Sequence, residues 1–216
     1  MLAPLLRPAD GRPLRLLVLG AHSDDIEIGC GATLLRLVAE QPDLEICWAV
    51  ASGDDERQAE ARASATDVLG RPADHLVMGG LKESHLPYEG TRTKSFVHGL
   101  SDVINPDLVL THVRHDLHQD HRTLAELVGN AFRDHLVLGF EIPKYDGDLR
   151  PPDTYVAVSE EQARRKVELL HRHFPSQATK YWFDEQLFLG LMRVRGVEAR
   201  SESGFAEGFH CTKLVF

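Results

Sequence analysis

Leu14-Arg15-Leu16-Leu17-Val18-Leu19-Gly20 runs directly into Ala21-His22-Ser23-Asp24-Asp25. A short, mostly apolar run closed by glycine reads as a buried strand. Open α/β sheets place ligands beyond the carboxyl ends of such strands, which is where the histidine and the two aspartates fall. Gly29 to Leu37 follows as a glycine turn and then apolar residues at helical spacing, and Leu44 to Ala51, between Pro42 and Gly53, is a second strand. The opening is β-α-β.

The same alternation continues outward. Arg57 to Leu69 reads as a charged helix stopped by Gly70, and Asp107 to Thr111 as a buried strand whose end leads into His112 to His121. Thr123 to Phe132 is a helix, Leu136 to Ile142 a strand ended by Pro143, and Tyr155 to Val158 another strand. Glu160 to His171 and Asp184 to Arg193 read as helices, and Phe205 to Val215 as a last strand. The pattern predicts one α/β domain over residues 1–216, with three layers: a mostly parallel, Rossmann-like sheet and helices on both faces.

Charge and composition narrow the function. The chain carries 33 acids against 24 bases, a formal charge of −9, which repels a nucleic-acid backbone. With 43% hydrophobic and 26% charged residues the composition is that of a globular protein. Cys30, Cys47 and Cys211 are odd in number and lack CxxC pairing, so they are expected to be reduced and structural. The stretch MLAPLLRPADGRPLRLLVLG is broken by proline, arginine and aspartate, no run is long enough to span a bilayer, and a cytoplasmic location is the default expectation.

Two clusters of metal-ligand residue types follow predicted strands: His22-Ser23-Asp24-Asp25, and His112 through Asp116, His118, Asp120 and His121. Either alone has a plain explanation as polar residues capping a helix. Parallel strands, however, carry both to the same sheet edge. Nitrogen and carboxylate ligands without a cysteine pair suit a catalytic zinc with three protein ligands and an open position. His22, Asp25 and His121 can supply the three, which leaves Asp24 beside the metal as a base.

The segments Ala21-His22-Ser23-Asp24-Asp25-Ile26-Glu27 and Asp116-Leu117-His118-Gln119-Asp120-His121-Arg122 resemble the AHPDD and DxHxDHR motifs of the PIG-L/LmbE-like zinc-dependent N-deacetylases. Weaker matches in the right order extend the resemblance over nearly the whole chain, including Glu141-Ile142-Pro143, Ser176-Gln177 and Gly204 to Phe209. The resemblance implies that His22, Asp25 and His121 hold zinc and that Asp24 activates water. It also implies that His118 stabilises the developing oxyanion or protonates the leaving amine, with Asp120 as its orienting partner. Fe2+ fits the same ligands. Ser23 replaces the usual proline, which removes no ligand.

The expected reaction is hydrolysis of an N-acetyl or other N-acyl group on an amino-sugar-containing small molecule. Arg57, Arg62, His115, Asp116, Lys144 and Glu207 are the candidate substrate contacts, and the polar loop from Lys144 to Thr154 is the expected sugar-binding segment. His112 is a further residue within reach of metal or substrate. His75, His85, His98, His135, His171, His173 and His210 are assigned to surface or packing. The alternatives are an amidase acting on a non-sugar amide and, in a different class, a non-catalytic α/β ligand-binding protein. Oligomeric state stays open.

Overall fold

The computed structural model describes residue 8 and residues 10–214. The first seven residues and residue 9 of the amino-terminal stretch, and the predicted end of the last strand at Val215, lie outside the described residues.

The chain alternates in the order β1 (Arg15–Gly20), α1 (Asp25–Glu40), β2 (Glu45–Ser52), α2 (Asp55–Leu69), β3 (His75–Leu81), α3 (Gly90–Val103), β4 (Leu108–His112), α4 (Gln119–Ala131), β5 (Leu136–Phe140), β6 (Thr154–Val158), α5 (Glu160–His173), α6 (Glu185–Glu198) and β7 (Phe205–Cys211). The strands form one seven-stranded sheet in the order β3-β2-β1-β4-β5-β7-β6. The first five are parallel, while β7 runs antiparallel to both β5 and β6.

Period-two alternation divides the core. Leu16 and Val18 of β1 face a cluster shared with α1, α2, α5 and α6, whereas Leu17 and Leu19 face one shared with α3 and α4. Burial on both faces explains why β1, β2 and β4 read as continuous apolar runs. Between β1 and β4 the strand order reverses, with Leu16 beside Leu108 and Val18 beside Leu110. The segments leaving these two neighbours are His22–Asp25 and Val113–His121. The topological switch point thus carries both motifs.

Helix α1 begins at Asp25, four residues before the glycine turn expected from sequence, and that turn is a kink inside it: Cys30 has φ −147°. Gly29 is required there because a Cβ at this position would lie 2.2 Å from the Phe140 ring. The backbone N–H groups of Ala32 and Thr33, freed by the kink, donate to Glu207 at 3.1 and 2.7 Å. Among the described residues no helix is long and apolar enough to cross a membrane.

Candidate metal centre and active site

His22 and Asp25 are set by a tight turn. The His22 backbone N–H donates to Asp25 Oδ2 at 2.7 Å, and Asp25 N–H donates to His22 O at 3.4 Å. These bonds hold the loop without the proline that Ser23 replaces. From the other strand, His118 caps α4 and places His121 on the first turn of that helix.

Three side chains then converge. His22 Nδ1 lies 3.1 Å from His121 Nε2 and 3.3 Å from Asp25 Oδ2, and His121 Nε2 lies 3.4 Å from Asp25 Oδ1. Zinc bonds of about 2.0–2.2 Å directed at tetrahedral corners set ligand atoms about 3.3–3.6 Å apart. The donor set is close to that spacing and fits a tetrahedral cation, which would lie between the two facing imidazole nitrogens.

Each ring is held from behind by a carboxylate. Asp116 Oδ2 is 3.0 Å from His121 Nδ1, and Asp120 Oδ2 is 3.1 Å from His22 Nε2. Such partners fix the tautomer and leave the opposite nitrogen as ligand. Burial alone lowers the His22 pKa, but Asp25 and Asp120 overcome it and raise it to about 10. Burial likewise opposes charge on His121, and Asp25 and Asp116 push its pKa up. Asp25 is driven up by burial and, more strongly, down by His121, His112 and His22, so it stays ionised. The centre is thus built to hold positive charge.

Asp24 is 4% exposed, and its Oδ1 accepts from Arg57 Nη2 at 2.6 Å. Arg57 also donates to Glu60 Oε2 at 2.7 Å and Ser176 Oγ at 3.1 Å. This buried guanidinium is occupied in holding Asp24, not turned out toward a ligand. Behind it, burial raises the Glu27 carboxyl to about 8.

Asp120 differs from the expectation. Besides His22, its oxygens accept from the backbone N–H groups of Ser84 at 2.6 Å and Leu86 at 3.1 Å. It orients His22, not the His118 ring. The reason is the helix cap: His118 Nδ1 accepts from Asp120 N–H at 3.3 Å, so the bonded contact between the two residues is backbone to ring. Without a carboxylate, burial and then the positive His121 and His22 lower the His118 pKa to about 4. The ring is neutral and, with Nδ1 accepting, carries its proton on Nε2.

The six expected substrate contacts fall differently. Asp116 is 1% exposed and serves His121, while Lys144 Nζ bonds Asp148 at 2.6 Å and Asp116 at 3.1 Å. Glu207 is buried against the α1 kink and against Lys166 Nζ at 2.6 Å. With Arg57, these four point inward because each completes a buried charge pair. Arg62 is exposed on α2 with no ion pair among the described residues, and the His115 ring packs edge-on to His210 at 4.7 Å.

His112 is closer to the centre than sequence reasoning placed it. Its ring stacks on His121 at 3.9 Å, its Nε2 lies 3.1 Å from Asp25 Oδ2, and that same nitrogen accepts from Ala21 N–H at 2.9 Å. Burial and the charge on His121 lower its pKa to about 4. Together with Asp25 and His121 it forms a second group of side chains within reach of one cation. The signal for it was position: His112 is the last residue of β4, beside the switch point.

The family description for GlcNAc-PI de-N-acetylase, PIG-L, matches residues 17–132, which include both motifs. The chain belongs to the PIG-L family. This PIG-L chain is 29% identical over 178 residues to the uncharacterized deacetylase YaiS of Escherichia coli, covering 73% of the chain and 89% of that protein. In fold it is similar to N,N'-diacetylchitobiose deacetylase from Pyrococcus horikoshii, with TM-score 0.70, 17% identity, and coverage of 92% of this chain and 83% of the other. It is also similar to GalB, the 4-carboxy-2-hydroxymuconate hydratase of Pseudomonas putida, with TM-score 0.75, 18% identity, and coverage of 94% and 98%. The architecture is thus that of the PIG-L deacetylases, and the same fold also carries a hydratase.

Proposed function

We propose that this PIG-L chain is a metal-dependent hydrolase that removes an N-acetyl group from an amino-sugar-containing small molecule. The observation that carries the reading is the convergence of His22 Nδ1, Asp25 and His121 Nε2 at 3.1–3.4 Å, with Asp24 next to Asp25 in the chain. Zinc, or Fe2+, held by these three residues would supply a Lewis acid and lower the pKa of a water toward about 7.

The chain's own residues would supply the rest. Asp24, with Oδ1 fixed by Arg57, has Oδ2 to take the proton from the attacking water. The neutral His118 would donate from Nε2 to the amide oxygen as that atom gains charge. The C–N bond then breaks, the acyl carbon keeps the water oxygen as a carboxylic acid, and the proton on Asp24 passes to the departing amine. In this scheme Asp24 carries the proton from water to amine, and His118 is the hydrogen-bond donor to the oxygen.

Exposed Tyr145 and Asp146, on the loop whose Lys144 and Asp148 are turned inward, are available to meet sugar hydroxyls. The amino-sugar assignment also draws on the diacetylchitobiose deacetylase among the structural relatives. The test is Asp24→Asn, assayed for amine release from N-acetylglucosamine derivatives with metal content measured on the same sample. Metal retained with release lost supports the roles given. Release that survives the substitution removes Asp24 from the reaction.

A further inference from the structure

Between α4 and the strands β4, β5 and β7 lies a cavity of about 560 Å³. That is within the size range of small-molecule sites, about 300–1,000 Å³. None of His22, Asp25, His118 and His121 lines it, and buried His112, stacked on His121, separates it from the ligand atoms. Its walls come from the segment after β4, from the end of α4, from β5, and from the end of β7.

The charge of these walls is opposite to that of the chain. Arg114, Arg133 and Lys213 line the cavity together with His115, His135 and His210, and no aspartate or glutamate does so among the described residues. In a chain of net charge −9, that is a local concentration of positive potential. None of the three fixed cations forms an ion pair among the described residues, although Arg12, Arg36, Arg57 and Arg195 all do.

The cations are also brought together by the fold. Arg114 lies so flat on α4 that a Cβ at Gly129 would be 1.8 Å from its Nη2, so the glycine is the seat of this guanidinium. Arg133 lies two residues past the end of α4, in the turn that follows Phe132. Lys213 reaches Arg133 from β7 and donates to its backbone carbonyl. The carboxyl end of α4 contributes about half a negative charge, which three full positive charges outweigh. Two histidines of the wall add unpaired buried nitrogens, His135 Nδ1 and His210 Nε2.

We propose that this cavity is a binding site for a small anion-bearing molecule, a phosphate or dicarboxylate, distinct from the site of amide hydrolysis. Guanidinium groups from two segments and an ammonium from a third suit bidentate and point-charge contacts to tetrahedral or planar oxyanions. The imidazoles of the wall supply further hydrogen-bonding nitrogens.

Calorimetric titration of the metal-loaded protein with inorganic phosphate, and separately with succinate, tests this. Saturable one-to-one binding of either anion is expected, phosphate alone pointing to a phosphate ligand and succinate to a carboxylate. The Arg114→Ala/Arg133→Ala double variant should weaken it by about tenfold or more with metal content and melting temperature unchanged, since both residues are exposed. Gly129→Leu, which keeps every charge but displaces Arg114, should also weaken binding. Absence of saturable binding overturns the proposal. So does binding that the double variant retains in full, which would put the anion at the metal, and so does a change of oligomeric state in that variant without any anion binding, which would make the face an interface between copies.

Discussion

Asp116 Oδ2 lies 3.0 Å from His121 Nδ1, on the opposite side of the ring from the Nε2 that faces Asp25. The carboxylate is itself anchored, because Oδ1 accepts from His118 N–H at 2.7 Å and meets Lys144 Nζ at 3.1 Å. Asp116→Asn should therefore weaken metal affinity by about 10–100-fold without loss of fold. Competition with a chelator reads this directly, and an unchanged affinity would detach Asp116 from the metal centre.

His118 stands beside the three ligand atoms, and its ring is 4.5 Å from that of His121 and 4.8 Å from that of His22. If it stabilises charge on the amide oxygen, His118→Ala should keep the metal and lose about 10²–10³ in kcat. Loss of the metal instead would make His118 a ligand.

Glu207 holds the kink of α1 and neutralises Lys166, both buried. Glu207→Gln leaves that ammonium without a charged partner and should cost about 3–5 kcal/mol of stability. Thermal unfolding measures it. Protein that remains folded should bind metal as before, whereas loss of amine release at full stability would return Glu207 to the substrate.

Asp107 is bonded to Arg12 at 2.6 Å and to Arg15 N–H at 2.8 Å, and hydrogen bonds from Arg12 hold its pKa below the ordinary carboxylate value despite partial burial. A depressed folded-state pKa stabilises the fold above the unfolded value, about 3.9, and that contribution is lost as pH falls through the folded value. The stability difference between the chain and its Asp107→Asn variant should be constant above about pH 5 and shrink below about pH 4. Urea unfolding at several pH values checks the sign, and a gap that widens on acidification contradicts it.

The strands that bury both faces, β1, β2 and β4, are legible because an apolar run bounded by Gly or Pro has few other readings, and the two ligand clusters are legible because they follow two of those strands. β3 and α3 leave a weaker trace. His75–Leu81 contains Gly79 and Gly80 and is half-exposed at the sheet edge, and Gly90–Val103 starts on a glycine with no side-chain cap. Residue types also cannot say where a carboxylate turns. Asp120 lies two residues from His118 but meets His22, because the cap geometry at the start of α4 aims its side chain across to the loop after β1 and to the loop after β3. For the same reason Arg57, Asp116, Lys144 and Glu207, which look like polar residues free to meet a sugar, are buried partners of other charges.

Metal content and amine release, measured together on the purified chain and on its Asp25→Ala and His121→Ala variants with N-acetylglucosamine derivatives as substrate, test the central claim most directly. The account predicts about one zinc or iron per chain and measurable release in the parent, both lost in each variant. A parent that holds no metal and cannot be loaded with any, or one that releases amine equally well after either substitution, would contradict it.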